Sequence, residues 1–341
     1  MNRLNVAVVG TGLFGERHLQ AYSSYDRARL MAACDINPNR VQAMASKYDI
    51  PNTYTDYRDM LDDDEVNAVS IATPDHLHRE VAIACAQAGK HILVEKPLAT
   101  AVEDARAISD AAAEAGVTLM VDFHNRLNPP FINIKASLDS GELGDVIHVY
   151  ARLSNTINVP MKMLSWSTKS SALWFLGSHT IDLVRWLLND NPVTVFGMSG
   201  GGVLRSKGLA CFDVYLATVR FSRGATAVFE NAWILPASQP SVKDFTFELL
   251  GSRGAMYVDA ANNRLLQKYT DNAAAFPDML AAVSTPRGTK GFVFESIHHF
   301  VDRVLDGGVP LATGEDGVWA TKIISAIEES CRIGAPVQIE A

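Results

Sequence analysis

Leu4-Asn5-Val6-Ala7-Val8-Val9-Gly10-Thr11-Gly12-Leu13-Phe14-Gly15 decides the fold. A short apolar, β-branched run ends in a glycine turn. Helical spacing then resumes through His18, Leu19 and Tyr22. A G-x-G-x-x-G alone is a weak signal, but here it follows a strand and opens a helix, the context it requires. The first glycine makes the tight turn, the second admits a pyrophosphate against the backbone, and the third lets helix pack on strand. The helix N-terminus offers free N–H groups to phosphate. Asp35 closes the next strand, 20 residues after Gly15 (35 − 15). A carboxylate there accepts from both ribose hydroxyls and repels a 2′-phosphate. Arg40 lies further on, inside an expected helix. Gly10, Thr11, Gly12, Leu13, Phe14, Gly15 and Asp35, with Arg40 beside them, therefore point to NAD, with NADP the less favoured cofactor.

Outward from this stretch, strand and helix alternate. Strand patterns run over Arg29–Cys34, Ala68–Ile71, His91–Val94 and Val117–Val121. Pro38 suits the first position of a helix. Two Ala-rich helices, near Leu77–Ala88 and Val102–Ala115, stop at Gly89 and Gly116. Continuous apolar strands between helices indicate a parallel sheet covered on both faces, an α/β cofactor domain over 1–121. The second half, 122–341, reads as an α+β domain on a large, mainly antiparallel sheet. Its strands follow one another at Val146–Ser154, Val193–Met198, Phe212–Phe221, Ala225–Trp233, Phe245–Gly251, Ala255–Val258 and Leu265–Tyr269. Hairpin turns are expected at Arg223-Gly224 and Gly251–Gly254. Helices are expected near Ser178–Leu188, Phe294–Leu305 and Asp316–Cys331, and an exposed loop over Ala273–Gly291.

Composition bounds the rest. A length of 341 residues suits about two domains. The net charge of −8 argues against nucleic acid and anionic membrane surfaces as partners. Cys34, Cys85, Cys211 and Cys331 form no C-x-x-C pair and no metal-ligand spacing, so no metal site is expected. Scattered thiols, no signal-peptide pattern and no apolar run of membrane length lead to a cytoplasmic expectation.

Two further strand ends carry polar residues: Thr73-Pro74 with His78 after the fourth strand, and Glu95-Lys96-Pro97 after the fifth. Ligands of an open parallel sheet bind beyond the strands' carboxyl ends, so these residues should border the same crevice as the glycine loop. An isolated lysine is ordinarily a solvated surface group. At the rim of a partly dry cleft, Lys96 can instead lose its proton and act as acid or base.

The glycine loop, Asp35, Thr73-Pro74 and Glu95-Lys96-Pro97 together resemble the glucose–fructose oxidoreductase / inositol dehydrogenase / rhizopine catabolism (Gfo/Idh/MocA) family. Three later segments are similar to that family too: Phe123-His124-Asn125-Arg126-Leu127-Asn128-Pro129, Gly141–Gly144 and His179-Thr180-Ile181-Asp182-Leu183-Val184-Arg185-Trp186. The resemblance spans essentially the whole chain. It implies a Rossmann domain, a cis Lys96–Pro97 bond, cofactor contacts from Asn125 as well, and Lys96 and His179 as catalytic residues. One position departs. Inositol dehydrogenase-like members carry an Asp four residues before the helix histidine, and here Phe175 stands there. A Lys–Asp–His arrangement is therefore not carried over whole.

The chemistry the resemblance implies is oxidation of a secondary hydroxyl of a sugar, polyol or sugar acid, or reduction of the ketone. His179 or Lys96 removes the hydroxyl proton and the other steadies the oxygen. Trp174 and Phe175 offer aromatic surface to a sugar ring. Arg126, Asn155, Asn158, Lys162, Trp166 and Lys169 are candidates to read hydroxyls or a carboxylate, although most such groups are solvated loop residues in other proteins. Two alternatives stay open: an NAD-recycling isomerase, lyase or hydratase, and a non-catalytic regulator that senses dinucleotide. A homo-oligomer, dimer or tetramer, is expected through the C-terminal sheet, with Phe212, Val214, Tyr215 and Phe229 as contact candidates.

Overall fold

A computed structural model describes residues 3–260, 266–270, 273–286 and 288–340. By its internal contacts the chain divides into two units, Met1–Leu127 with Ala281–Thr321, and Asn128–Leu280 with Lys322–Ala341.

The first unit opens β1 (Leu4–Val9), α1 (Leu13–Ser23), β2 (Ala28–Cys34), α2 (Pro38–Tyr48), β3 (Asn52–Tyr54) and α3 (Tyr57–Leu61). It continues β4 (Ala68–Ile71), α4 (His78–Gln87), β5 (His91–Val94), α5 (Val102–Glu114) and β6 (Leu119–Val121). The strands pair in parallel in the order β3-β2-β1-β4-β5-β6. That is the doubly wound dinucleotide-binding order, with the reversal between β1 and β4. Pro38 does begin α2, and the Asn37 side chain caps it by accepting from the N–H groups of Asn39 and Arg40. Both faces of the sheet are packed, as continuous apolar strands demand. Ala7, Val9, Val69, Ile71 and Ile92 meet α4 and α5 on one face. Val6, Val8, Leu30 and Leu93 meet α1 and α2 on the other.

The second unit contains α6 (Pro129–Asp139), β7 (Val146–Asn155), α7 (Ser178–Leu188), β8 (Pro192–Gly200), the single turn α8 (Val203–Ser206), β9 (Val214–Phe221) and β10 (Thr226–Ala232). β11 (Lys243–Gly251), β12 (Ala255–Asp259), β13 (Lys268–Thr270) and β14 (Ala273–Ala275) follow. β15 (Val283–Thr285), β16 (Gly288–Lys290) and α9 (Phe292–Asp306) return to the first unit. α10 (Gly314–Ile333) and β17 (Val337–Gln338) end the chain. The large sheet runs β12-β11-β7-β10-β9-β8-β17. Its one parallel pair is β10 with β7, the rest being antiparallel. The Arg223-Gly224 hairpin is present, with Gly224 at φ +97°.

Three expectations change. Tyr215 and Phe229 are not oligomer contacts of the open face: they are buried among Leu183, Val184, Ile323 and Ile327. The side-chain period of two puts Leu216 on the outer face instead, in line with Met198 on β8. Phe196, Met198, Leu216, Leu250 and Tyr257 are exposed apolar groups there. Val214 is half-buried, and Phe212 precedes the strand. The stretch 273–291 is not one loop: β13 pairs with β14 and β15 with β16 as short ladders. Leu265, the expected start of a strand, lies outside the described residues, and the ladder begins at Lys268.

The third change is in the division of the chain. The segment 281–321, read with the second half, packs with the first. Phe294, Ile297, Phe300 and Val301 of α9 are fully buried in one core with Leu4, Val6, Leu19 and Tyr22. Tyr25 stacks on His298 with ring centroids 4.1 Å apart and donates to Asp302. Phe300→Ala should therefore cost about 3–5 kcal/mol, as for other buried aromatics. Chemical denaturation measures it, and a change within ~0.5 kcal/mol, the level of a surface site, would place α9 outside that core.

Candidate active site

The glycine loop has the geometry its spacing implies. Gly10 has φ +87°, and a Cβ there would lie 2.7 Å from the carbonyl oxygen of Ala72. A Cβ on Gly15 would lie 1.7 Å from the carbonyl oxygen of Gly10, so only glycine lets α1 start this close to β1. Gly12 is different. A Cβ there meets nothing within 4 Å, and its backbone faces open space at the uncapped start of α1. That is the approach a pyrophosphate needs. Asp35 is buried at the end of β2. One carboxylate oxygen accepts from the Thr11 N–H at 2.8 Å and hydroxyl at 3.0 Å; the other accepts from the Asn37 N–H at 2.9 Å. The acid thus braces the loop, while Arg40 reaches the same carboxylate at 3.4 Å from an exposed position. This cradle fits a dinucleotide.

The other strand ends of this unit hold the remaining polar groups. His78 is buried, with Nδ1 2.8 Å from the Pro97 carbonyl and Nε2 3.0 Å from the Thr73 carbonyl, so it links the loops after β4 and β5. Pro74 precedes a short helical turn, Asp75–Leu77. Lys96–Pro97 is cis. Lys96 is buried, and its Nζ lies 5.8 Å from the centroid of the Phe14 ring in the glycine loop. Burial lowers its pKa below the usual lysine range, against the opposing pull of Glu95, Asp75 and Asp122. A lysine so placed can be neutral when it meets a hydroxyl. Asn125 is buried in the turn after β6. Arg126 is committed elsewhere in this unit: it donates to the Leu311 carbonyl at 2.8 Å and pairs with Asp316 at 3.3 Å.

Behind Lys96 lies a buried polar cluster. His18 on α1 places Nε2 3.2 Å from Glu95 Oε1 and 3.9 Å from Asp122 Oδ2. Its Nδ1 lies 3.1 Å from Ser70 Oγ, which also meets the Tyr22 hydroxyl. Burial alone would raise the Glu95 pKa, but the bond and charge of His18 and the charge of Lys96 hold it below the usual carboxylate range. Asp122 is pushed well above that range by burial and by Glu95. His18, Asp122 and Ser296 are not among the candidates expected from sequence. One signal for His18 was available: it sits on the otherwise apolar Gly15-Leu19-Tyr22 face of α1.

In the second unit, His179 is buried in the first turn of α7. Phe175 precedes α7, half-buried, with ring centroids 6.1 Å from Trp166 and 5.9 Å from Trp233. The position that carries Asp in inositol dehydrogenase-like chains is here part of an aromatic row. Trp174 is buried and, with Lys169, Arg205, Tyr215 and Glu328, lines a pocket of about 260 Å³. Asn155 is buried at the end of β7; its amide donates to Val242 at 3.4 Å, while its Oδ1 is buried without a partner. Asn158 is half-buried before the turn Val159–Met163, and Lys162 is exposed within it. No helix of the described residues is long and apolar enough to cross a membrane.

Comparison with known proteins agrees with this geometry. Residues 4–123 match the family model of an oxidoreductase family with an NAD-binding Rossmann fold, and residues 131–257 match the model of the GFO/IDH/MocA C-terminal domain. The chain is 27% identical to levoglucosan dehydrogenase of Pseudarthrobacter phenanthrenivorans, covering 97% of this chain and 96% of that one. It is 26% identical to the NAD-dependent scyllo-inositol 2-dehydrogenase of Bacillus subtilis, covering 99% and 97%. Among solved structures it is similar to GenD2 of gentamicin A biosynthesis in complex with NAD, with a TM-score of 0.86, 25% identity and coverage of 100% and 97%. A dinucleotide cradle at the β1/β4 reversal and both family domains in sequence make this chain an NAD-binding oxidoreductase of the Gfo/Idh/MocA family.

Proposed function

We propose that the protein oxidises a secondary hydroxyl of a sugar, polyol or sugar acid, or reduces the matching ketone, with Lys96 as proton acceptor and donor. The observation that carries this is Lys96 itself: buried after β5, beside Phe14 of the glycine loop, with its charged form disfavoured. Bound NAD would supply the hydride acceptor at that loop. The neutral Lys96 amine takes the hydroxyl proton as the carbon is oxidised, and His179 is the second group proposed for the acid–base chemistry. The carbohydrate class is supported by two relatives, a levoglucosan dehydrogenase and a scyllo-inositol 2-dehydrogenase. Phe175, packed between Trp166 and Trp233, offers ring surface and no acceptor, so the substrate gains apolar contact where an Asp would have bound a hydroxyl. The exposed outer sheet face at Phe196, Met198, Leu216 and Tyr257 carries the subunit contact of a homo-oligomer.

Three measurements check this. Lys96→Ala should lower kcat/KM on a responsive sugar by about 10²–10⁴-fold, the worth of one acid–base group, with NAD affinity within a few-fold of wild type. Unchanged turnover in that variant would remove Lys96 from the mechanism. Oxidation should fall as pH drops through the Lys96 pKa, below the usual lysine range, because the ammonium cannot accept a proton; reduction should fall on the other side, as pH rises. Leu216→Glu with Met198→Glu should shift sedimentation to the monomer. An unchanged oligomer, or a wild-type monomer, would rule out that face.

A further inference from the structure

The buried cluster behind Lys96 has four carboxylate oxygens, on Glu95 and Asp122, and three donors that meet them. One nitrogen of His18 faces both Glu95 and Asp122, and the three facing side-chain atoms lie within 4.8 Å of one another. The Nε2–H serves the nearer acceptor, Glu95 Oε1 at 3.2 Å; the Lys96 backbone N–H serves Glu95 Oε2 at 3.2 Å. Asp122 has less. Ser296 of α9 donates to Oδ1, but Oδ2 is buried with no hydrogen-bond partner among the described residues. His18 Nε2 lies 3.9 Å from it and His124 Nδ1 4.0 Å. An ionised carboxylate oxygen left this way in a dry interior is expensive, and protonation removes the charge.

We propose that Asp122 is a positioning residue for Lys96: its protonation state sets the charge against which the Lys96 amine titrates. Were Asp122 ionised, it would join Glu95 in holding Lys96 as an ammonium, which cannot accept a proton. With Asp122 neutral, Glu95 and Asp75 are the carboxylates that remain to act on Lys96. The groups that act on Asp122 are His18 from α1, Glu95 and Lys96 from the end of β5, His124 from the following turn, and Ser296 from α9. Ser296 favours the charged form and Glu95 disfavours it, so the proton is held in balance and can titrate. The two sites are then coupled, and each should report the other's titration.

This inference rests on Lys96 as the acid–base group, and its test separates the two. Full-length protein carrying lysine labelled with carbon-13 at Cε is titrated by NMR, and Lys96→Met assigns the Lys96 signal. Wild type should show two inflections, one from Lys96 and a smaller one from Asp122. Asp122→Asn, an isostere that can still accept from Ser296, should remove the smaller inflection and move the Lys96 midpoint to lower pH. Ser296→Ala should move the smaller inflection to higher pH, and it decides the matter alone should Asp122→Asn not fold. A single inflection in wild type, or two that persist in Asp122→Asn, would overturn the coupling. If the inflections behave as expected but Lys96→Ala turns over normally, the electrostatic unit stands and the catalytic reading of Lys96 fails. The limb of kcat/KM against pH should move to lower pH in Asp122→Asn; a limb that stays fixed while the NMR midpoint moves would deny Asp122 its role in turnover.

Discussion

The contact between Gly15 and Gly10 is the constraint on which the cofactor end of the molecule depends. With room for no Cβ at Gly15, α1 begins hard against the end of β1 and points its free N–H groups over the sheet. Everything else at the strand ends is placed relative to that start. Asp35 ties Thr11 down from β2, and Phe14 reaches Lys96 after β5. The buried face of α1 from Gly15 through Tyr22 brings His18 under the ends of β4, β5 and β6, where Ser70, Glu95 and Asp122 meet it.

Asp35 serves two purposes with one carboxylate. It is recognisable from sequence as a ribose acceptor, yet the structure shows it equally as a brace for the loop that would hold the pyrophosphate. Loop shape and ribose preference are therefore not separable by mutation at this residue. Arg40, 3.4 Å from the same acid, is held there as its counter-charge.

The parts legible in sequence were those written in local spacing. The glycine loop, the acid 20 residues on and the α/β alternation all follow from residues close in the chain, and α7 falls on Ser178–Leu188 as periodicity expects. What could not be read was which face or which core a regular segment joins. Tyr215 and Leu216 are equally apolar neighbours, and only the pairing register decides that the first is inside and the second out. The apolar face of α9 announces a helix but not its partners, which lie some 290 residues earlier at Leu4 and Val6. Asp122 was hidden for a related reason. Its significance depends on His18, Glu95 and Ser296, from three other elements, and no short motif contains them.

The return of α9 bears on how the chain matures as it is made. When the first 127 residues have left the ribosome, all six strands of the parallel sheet exist, but the face at Leu4, Val6 and Leu19 still lacks Phe294, Ile297 and Phe300. It stays without them until more than 150 further residues, most of the second unit, have been synthesised. The nascent chain must carry that face with α1 and α2 as its cover and the apolar surface that α9 meets still open through most of translation. Such a surface is what holding chaperones bind and what aggregates when they do not. A fragment cut after the parallel sheet would keep every glycine and acid of the cofactor fingerprint and still expose the apolar surface that α9 covers.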